Sequence, residues 1–147
     1  LIITYAACCK PIPGDNIIAH NSNIKGIVIH TERCKNMVSI RKDPAHCSPV
    51  KWESKVEGEF PVEIKVLSED RPGLLAEISA SISDIGSNIE SFRMDPPAGN
   101  SVQMYIILDV VDRIHLARVM RRIRRLKQVL SVSRIHNQNQ TQLRSAH

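Results

Sequence analysis

Three cysteines and one histidine near the start of the chain have side chains that bind metal ions. They are Cys8, Cys9, His30 and Cys34. Thiolate and imidazole groups are the usual ligands of tetrahedral Zn²⁺, and such a site would supply folding energy to a small domain. His30 and Cys34 are four residues apart across a predicted strand-to-helix junction, so both side chains can lie on one side of it.

The adjacent residues Cys8 and Cys9 are the difficulty for this site, because neighbouring side chains on a strand face opposite ways. Both can bind one ion only if the backbone bends there, and Lys10-Pro11 would supply the bend. Cys47 is the alternative ligand. The other interpretation is that the thiols are small buried apolar groups. Since no secretory signal precedes them, we expect reduced thiols in a cytoplasmic protein.

A turn in the second half of the chain is suited to holding a carboxylate. Asp70-Arg71-Pro72-Gly73 opens a predicted helix that Asp70 would cap, and the first amide groups of a helix attract anions. Gly73 lacks the Cβ atom that would block the approach of a ligand. A capped helix without a ligand is the alternative.

Seven basic residues between Arg113 and Lys127 are not interrupted by any acidic residue. Four of them share one face of a predicted helix: Arg118, Arg121, Arg122 and Arg125. This face is a candidate for contact with RNA phosphates or another partner, and RNA binding would weaken steeply with salt. The alternative is a solvated surface, because basic helix faces are common. We expect His115, on the same helix, at the surface.

No group of residues in the chain resembles a catalytic centre. The compact carboxylate pair Glu69-Asp70 has no histidine nearby, and no serine stands in a nucleophile-elbow context. The 147 residues are 42% apolar and 24% charged with a net charge of +5, as in ordinary globular proteins. Because aromatic residues make up only 3% of the chain, a nucleic-acid-binding site that stacks bases on aromatic rings is not expected. No apolar run approaches the roughly 20 residues of a membrane span.

The apolar pattern of residues 1–58 predicts a small mixed α/β domain. Strands are indicated at 1–7, 16–20, 26–30 and 50–53, and a helix capped by Thr31 is indicated over 32–40. A rigid turn separates the first two strands, because Lys10 to Asp15 contains two prolines and a Pro-Gly-Asp sequence. The polar stretch around Gly58 marks a domain boundary.

The pattern of residues 59–136 predicts the element order β-α-β-β-α-β. The helices are indicated from Asp70 to Gly86, which ends the first one as a left-handed cap, and from Arg113 to Lys127. This order is the ferredoxin-like plan, an antiparallel sheet with two helices on one face, so the whole chain is of the α+β class. The polar residues 137–147 predict a disordered tail.

Two blocks of sequence resemble known families. The block from Cys8 to Asp15 (CCKPIPGD) and the block from Gly26 to Cys34 resemble the zinc-finger-like (RIS) domain near the carboxyl end of RelA/SpoT-type stringent-response enzymes. The turn Asp70 to Leu75 and the sequence Gly86-Ser87-Asn88-Ile89 resemble the ACT domain, a small-molecule sensing module. In those enzymes the first domain directly precedes an ACT domain, as here.

The resemblance implies the regulatory carboxyl-terminal region of a bifunctional (p)ppGpp synthetase/hydrolase, with the catalytic domains upstream. The fragment itself would carry no catalytic site, and its start at Leu1 without Met fits a piece of a longer protein. Ribosomal RNA is an implied partner. Arg33 stands where RelA-type members usually have Asp, which favours the SpoT-like branch. The alternative is a stand-alone amino-acid-binding ACT module of another metabolic enzyme, and the CCKPIPGD block argues against it.

The ACT resemblance also implies an amino-acid site and a homodimer. ACT domains bind amino acids at this turn, usually between two chains, and a branched-chain amino acid is the implied class. Asn88 would meet the ammonium group of the ligand. The residues implied are Asp70, Gly73, Leu74, Asn88 and Ile89.

Overall fold

The computed structural model describes residues 2–137, and the chain forms two compact units. The division falls between Val56 and Glu57, and the second unit extends to Arg134. Each unit contains its own four-stranded sheet. Except for Asn137, the predicted disordered tail lies outside the described residues. No helix within residues 2–137 has both the length and the apolar character needed to cross a membrane.

The first unit is a sheet in the strand order β1-β3-β2-β4, with β1 parallel to β3 and the other pairs antiparallel. Its helical segments are short and lie between β3 and β4. The elements are β1 (Ile3–Tyr5), β2 (Ile17–Ser22), β3 (Gly26–Thr31), α1 (Met37–Ile40), a 3₁₀ turn (Pro44–His46) and β4 (Cys47–Val50).

Three predicted elements of this unit are wrong in extent. The first strand, predicted at 1–7, covers only Ile3–Tyr5. The helix begins only at Met37, and Asn36 rather than Thr31 precedes it, because the chain first makes a turn in which the Cys34 N–H donates to the Thr31 carbonyl (3.1 Å). The last strand ends at Val50 instead of running from 50 to 53. Trp52 therefore leaves the strand and packs over the sheet against the cluster that contains Ile17.

The alternation of side chains gives this sheet two different faces. Ile17, Ala19 and Ile29 form one buried cluster, which Val50 and Trp52 partly cover. The other buried cluster consists of Ala6, Cys9, Cys34 and Met37. Because successive residues of a strand point to opposite sides, one short sheet supports two separate environments.

The second unit confirms the predicted β-α-β-β-α-β order. Its sheet has the strand order β6-β7-β5-β8, and β5 and β7 pair along their full length from Phe60↔Val110 to Glu69↔Ser101. Val62, Ile64 and Ile106 are among the fully buried core residues. The elements are β5 (Phe60–Glu69), α2 (Leu74–Asp84), β6 (Asn88–Met94), β7 (Ser101–Val110), α3 (Arg113–Arg124) and β8 (Val129–Ile135).

The two ends of α2 differ in how well the sequence predicted them. The prediction that Asp70 caps the helix is wrong: α2 begins at Leu74 after Gly73, which has φ +82° and makes no side-chain cap. The predicted left-handed end at Gly86 is confirmed by its φ of +74°. There the Ser87 N–H donates to the Ile82 carbonyl (3.2 Å), which satisfies one of the last helical carbonyls.

His115 is buried, so its predicted surface position is wrong. Its Nδ1 accepts a hydrogen bond from the Val111 N–H (3.0 Å), and its Nε2 therefore carries the proton that is donated to the Ile85 carbonyl (2.7 Å). The ring thus joins the start of α3 to the end of α2. The Asp112 side chain caps α3 by accepting from the His115 N–H (2.7 Å).

We predict that His115→Ala lowers the free energy of unfolding by about 2–4 kcal/mol, because two backbone groups lose their buried partner. Urea unfolding followed by far-UV circular dichroism measures the effect. Arg121→Ala, an exposed change on the same helix, is the control and should stay within about 0.5 kcal/mol of the parent. Equal stability of the two variants would contradict the role of the His115 ring.

Candidate functional site

A backbone bend at the end of the first strand brings Cys8 and Cys9 to the same side. The Lys10 N–H donates to the Ala6 carbonyl (3.0 Å), which closes a turn of five residues. Lys10 has φ +47°, a left-handed conformation that a residue with a side chain rarely adopts. The bend predicted at Lys10-Pro11 is therefore present, and the two cysteines do not alternate as strand residues would.

The four predicted metal-binding residues converge on one point, which we call the thiol–imidazole cluster (Cys8, Cys9, His30 and Cys34). The Cys8 Sγ lies 3.6 Å from the His30 Nδ1 and 3.5 Å from the Cys34 Sγ, and the Cys9 Sγ lies 3.8 Å from the same Nδ1. All four ligand atoms lie within 4.8 Å of one another. Cys47 does not join them, and its thiol donates to the Ile40 carbonyl (3.3 Å).

The spacing of these atoms fits a tetrahedral ion. Ligands about 2.0–2.3 Å from a central Zn²⁺ are separated from one another by roughly 3.6–3.8 Å. Three of the six separations, 3.5, 3.6 and 3.8 Å, lie within about 0.3 Å of that requirement, and the other three are no longer than 4.8 Å. The Thr31 N–H also donates to the Cys9 Sγ (3.4 Å), and such a bond favours the thiolate form that binds metal. The cluster could therefore hold a metal ion, and apolar packing alone does not account for a buried imidazole among three thiols.

The thiols of the cluster differ in their acidity. Hydrogen bonds from the Cys9 thiol and the His30 ring lower the pKa of Cys8 to about 3. The bond to Cys8, together with burial, raises the pKa of Cys9 above its ordinary value. Burial raises the pKa of Cys34. One negative charge is thus concentrated on the half-buried Cys8, and its two neighbours hold their protons.

The residues predicted to bind an amino acid do not come together within one chain. Asn88 is opposite Asp109, which pairs with Pro61 at the start of β5, whereas the turn follows Glu69 at the other end of that strand. Eight residues of strand separate the two ends, about 27 Å at 3.4 Å per residue. Gly73 leaves open space where a Cβ would stand. Asp70 and Asn88 are exposed, Ile89 is half-buried, and Leu74 lies in the core.

The four predicted basic residues lie together, and we call them the arginine face (Arg118, Arg121, Arg122 and Arg125). With Ile85 they line a shallow cleft of about 210 Å³. Arg122 pairs with Asp84 (3.0 Å), so part of the charge is neutralised. Arg124 has a structural role instead, since its guanidinium donates to the Val132 carbonyl (2.9 Å).

The sequence prediction missed two features of the first unit. One is the Thr31 N–H bond to the Cys9 sulfur, for which the only sequence signal was the position of Thr31 directly after His30. The other is a cavity of about 590 Å³ beside Trp52, which no residue motif marked. A lone tryptophan following a strand was its only sign.

Two family profiles match the chain. The ACT domain matches residues 57–134, and the RelA/SpoT RIS domain matches residues 1–53. Among solved structures, the ACT domain of the GTP pyrophosphokinase of Chlorobium tepidum covers 53% of this chain and 100% of its own, with 22% identity and a TM-score of 0.47.

Curated relatives align with both units at once. The bifunctional (p)ppGpp synthase/hydrolase SpoT of Escherichia coli K12 is 42% identical over 137 residues, 93% of this chain and 20% of that protein. The GTP pyrophosphokinase of Myxococcus xanthus is 32% identical over 135 residues, 92% of this chain and 18% of that protein. The chain thus spans about a fifth of the length of these relatives.

We predict that Cys8 of the metal-free protein reacts with iodoacetamide at nearly the same rate from pH 5 to pH 8. Its lowered pKa, about 3, keeps the thiolate throughout this range. A model cysteine peptide, with a pKa near 8.5, slows about tenfold for each unit that the pH falls. Peptide mass spectrometry of a time course in chelator measures both rates. A tenfold fall in the alkylation rate of Cys8 for each unit that the pH falls would contradict the lowered pKa of this thiol.

Proposed function

This chain belongs to the ACT domain family and carries a RelA/SpoT RIS domain before it, and we propose that it is the regulatory carboxyl-terminal region of a bifunctional (p)ppGpp synthetase/hydrolase. The observation that carries the proposal is the joint match of both domains, in this order, to such enzymes over 93% of the chain. We place the RIS domain at residues 1–58 and the ACT domain at residues 59–136. They would pass ribosome or amino-acid status to the catalytic domains by favouring one domain arrangement over another.

A stand-alone ACT module of another metabolic enzyme is not favoured, because the RIS domain occupies residues 1–53 and the relatives align through it. Arg33 and the higher identity to SpoT than to the GTP pyrophosphokinase both support the SpoT-like branch. The parent would then hydrolyse as well as synthesise (p)ppGpp. The four free thiols support a reducing, cytoplasmic location.

We propose Zn²⁺ as the ion of the thiol–imidazole cluster. The donor set of three sulfurs and one nitrogen is typical of structural zinc sites, which are closed by four protein ligands. Bound zinc would supply folding energy by holding the Cys8-Cys9 turn, the end of β3 and the Cys34 turn together. The chain's own part would be to place the unprotonated His30 Nδ1 beside both cysteine sulfurs, where it could bind the ion, and to stabilise the Cys9 thiolate through the Thr31 N–H.

We predict that protein purified without chelator contains about one zinc per chain, and that Cys9→Ser reduces it to near zero. The reason is that Cys9 supplies a buried ligand which serine does not replace. Elemental analysis by mass spectrometry measures the stoichiometry. Cys47→Ser is the matched control, because that thiol lies outside the cluster and should leave the zinc content unchanged. Metal-free parent protein would end the zinc proposal.

The arginine face supports a ribosomal RNA partner. Four guanidinium groups at the spacing i, i+3, i+4 and i+7 form one stripe along α3, and Asp84 offsets only one of them. Neighbouring like charges on a helix are mildly destabilising, so the stripe carries a cost that a phosphate partner would offset. Guanidinium groups bind phosphate oxygens through paired hydrogen bonds.

The exposed edge of the second sheet supports an amino-acid site shared by two chains. β6 is an edge strand, and it begins at Asn88. If the β6 strands of two copies pair in antiparallel fashion, the start of β6 in one copy lies beside the end of β6 in the other. Asn88 of one copy then approaches the end of the other copy's sheet that carries the turn Asp70–Gly73. This arrangement resolves the separation of about 27 Å within one chain. A branched-chain amino acid between the copies is the ligand that we propose.

We predict that, in the full-length protein containing this chain, Arg121→Glu/Arg125→Glu weakens ribosome binding. The slope of the logarithm of the binding constant against the logarithm of the salt concentration should fall by about two. The same variant should lose the effect of ribosomes on the ratio of (p)ppGpp synthesis to hydrolysis.

In the same full-length protein, Asn88→Ala should abolish any effect of valine, leucine or isoleucine on the ratio of (p)ppGpp synthesis to hydrolysis. Sedimentation with ribosomes and nucleotide chromatography measure these outcomes.

The control for this experiment is Lys25→Glu/Lys55→Glu, an equal charge change at exposed positions of the first unit. It should bind ribosomes as the parent does. A full-length protein that neither makes nor hydrolyses (p)ppGpp would overturn the proposed function. Unchanged ribosome binding by the arginine variant would overturn only the role of the arginine face.

A further inference from the structure

A cavity of about 590 Å³ opens at one end of the sheet of the first unit, and we call it the Trp52 cavity. It lies where β2 begins and where β3 and β4 end, beside the Pro-Gly-Asp turn. None of the four residues of the thiol–imidazole cluster lines it. Its volume is in the range of sites for small ligands, about 300–1,000 Å³. The lining includes one aromatic, two aliphatic and three charged residues: Trp52, Ile17, Val50, Asp15, Glu32 and Lys51.

The indole of Trp52 is held at two points. One ring face stacks on Tyr5, with centroids 5.5 Å apart and planes inclined by 14°. The Nε1–H donates to the Asp15 carbonyl (3.1 Å). The ring is therefore ordered before any ligand arrives, and little further rotamer freedom would be lost on binding. Tryptophan is also the side chain whose ring binds cations most strongly.

The charge of the Trp52 cavity is opposite in sign to that of the chain. Asp15 and Glu32 line it against the single cation of Lys51, whereas the chain as a whole carries +5. The Asp15 carboxylate is positioned by the Ile12 N–H, which donates to its Oδ2 (2.8 Å). Glu32 is exposed and takes part in none of the ion pairs found within residues 2–137.

We propose that the Trp52 cavity binds an organic cation, a guanidinium or ammonium group carried on an apolar stem. The indole and the two carboxylates would attract the charged group, and Ile17 and Val50 would contact the stem. Arginine and lysine side chains have this shape. The inference concerns a different surface from the arginine face and does not depend on the proposed (p)ppGpp function.

Fluorescence tests the proposal directly, because Trp52 is the one tryptophan of the chain. The full 147-residue chain is titrated with N-acetyl-L-arginine amide at constant ionic strength. N-acetyl-L-citrulline amide, which has nearly the same shape and no charge, is the matched ligand control. We expect saturable change of the Trp52 emission with the arginine compound at millimolar concentration, and at least fivefold weaker binding of the citrulline compound.

Three variants assign the binding to this cavity. Glu32→Gln should weaken binding about two- to fivefold, the effect of one exposed charge contact. Lys51→Gln should strengthen it, because the opposing charge is removed. Glu53→Gln, an exposed carboxylate outside the lining, should leave it unchanged. Far-UV circular dichroism verifies that each variant is folded.

Two results would overturn the proposal. One is no saturable change of the Trp52 emission with the arginine compound. The other is equal binding of the arginine and citrulline compounds with no effect of Glu32→Gln, which would define a merely apolar cavity. Free L-arginine identifies the source of the cation: binding equal to that of the capped compound supports a side chain of a polypeptide partner. Tighter binding of free L-arginine supports an amino-acid ligand.

Discussion

The turn closed by Lys10 and Ala6 is the constraint on which the first unit depends. It places two adjacent cysteines beside one imidazole, which a continuous strand could not do. The left-handed conformation of Lys10 costs about 1–2 kcal/mol, so the surrounding contacts must hold it in place. The hydrogen bonds around Cys9 and His30, and any bound metal, supply that constraint. Without the turn, the chain would lose both its donor set and the buried cluster around Cys9.

The alternation of β3 separates two chemistries in a very small domain. Ile29 points into the cluster covered by Trp52, and the next residue, His30, points to the thiols on the other side. Because β4 ends at Val50, Trp52 is not part of the strand, and its ring packs over the sheet and stacks on Tyr5. A cluster that could hold a metal ion on one side and the Trp52 cavity at the end of the sheet are thus compatible with one four-stranded sheet.

In the second unit, the register of the sheet limits what one chain can do alone. Since β5 and β7 pair without interruption, the turn Asp70–Gly73 and Asn88 are held at opposite ends of the sheet. A ligand that requires both would have to lie between copies, and β6, one of the two edge strands of this sheet, begins at Asn88. The His115 ring, which links the end of α2 to the start of α3, holds the helix that carries the arginine face.

Local pattern was sufficient to predict the element order of the second unit, its fold and the residues of the thiol–imidazole cluster, but not the start of α2 at Leu74. Period-two and helical spacings depend on near neighbours in the chain, and the CCKPIPGD block identified the first domain by resemblance. The convergence of Cys8, Cys9, His30 and Cys34, the exclusion of Cys47, the burial of His115 and the distance between Asn88 and its turn required the tertiary structure. Each depends on contacts between residues more than 20 positions apart or on strand register, and neither is encoded in local spacing. The Trp52 cavity belongs to the same class, since three strand ends and a turn must meet before it exists.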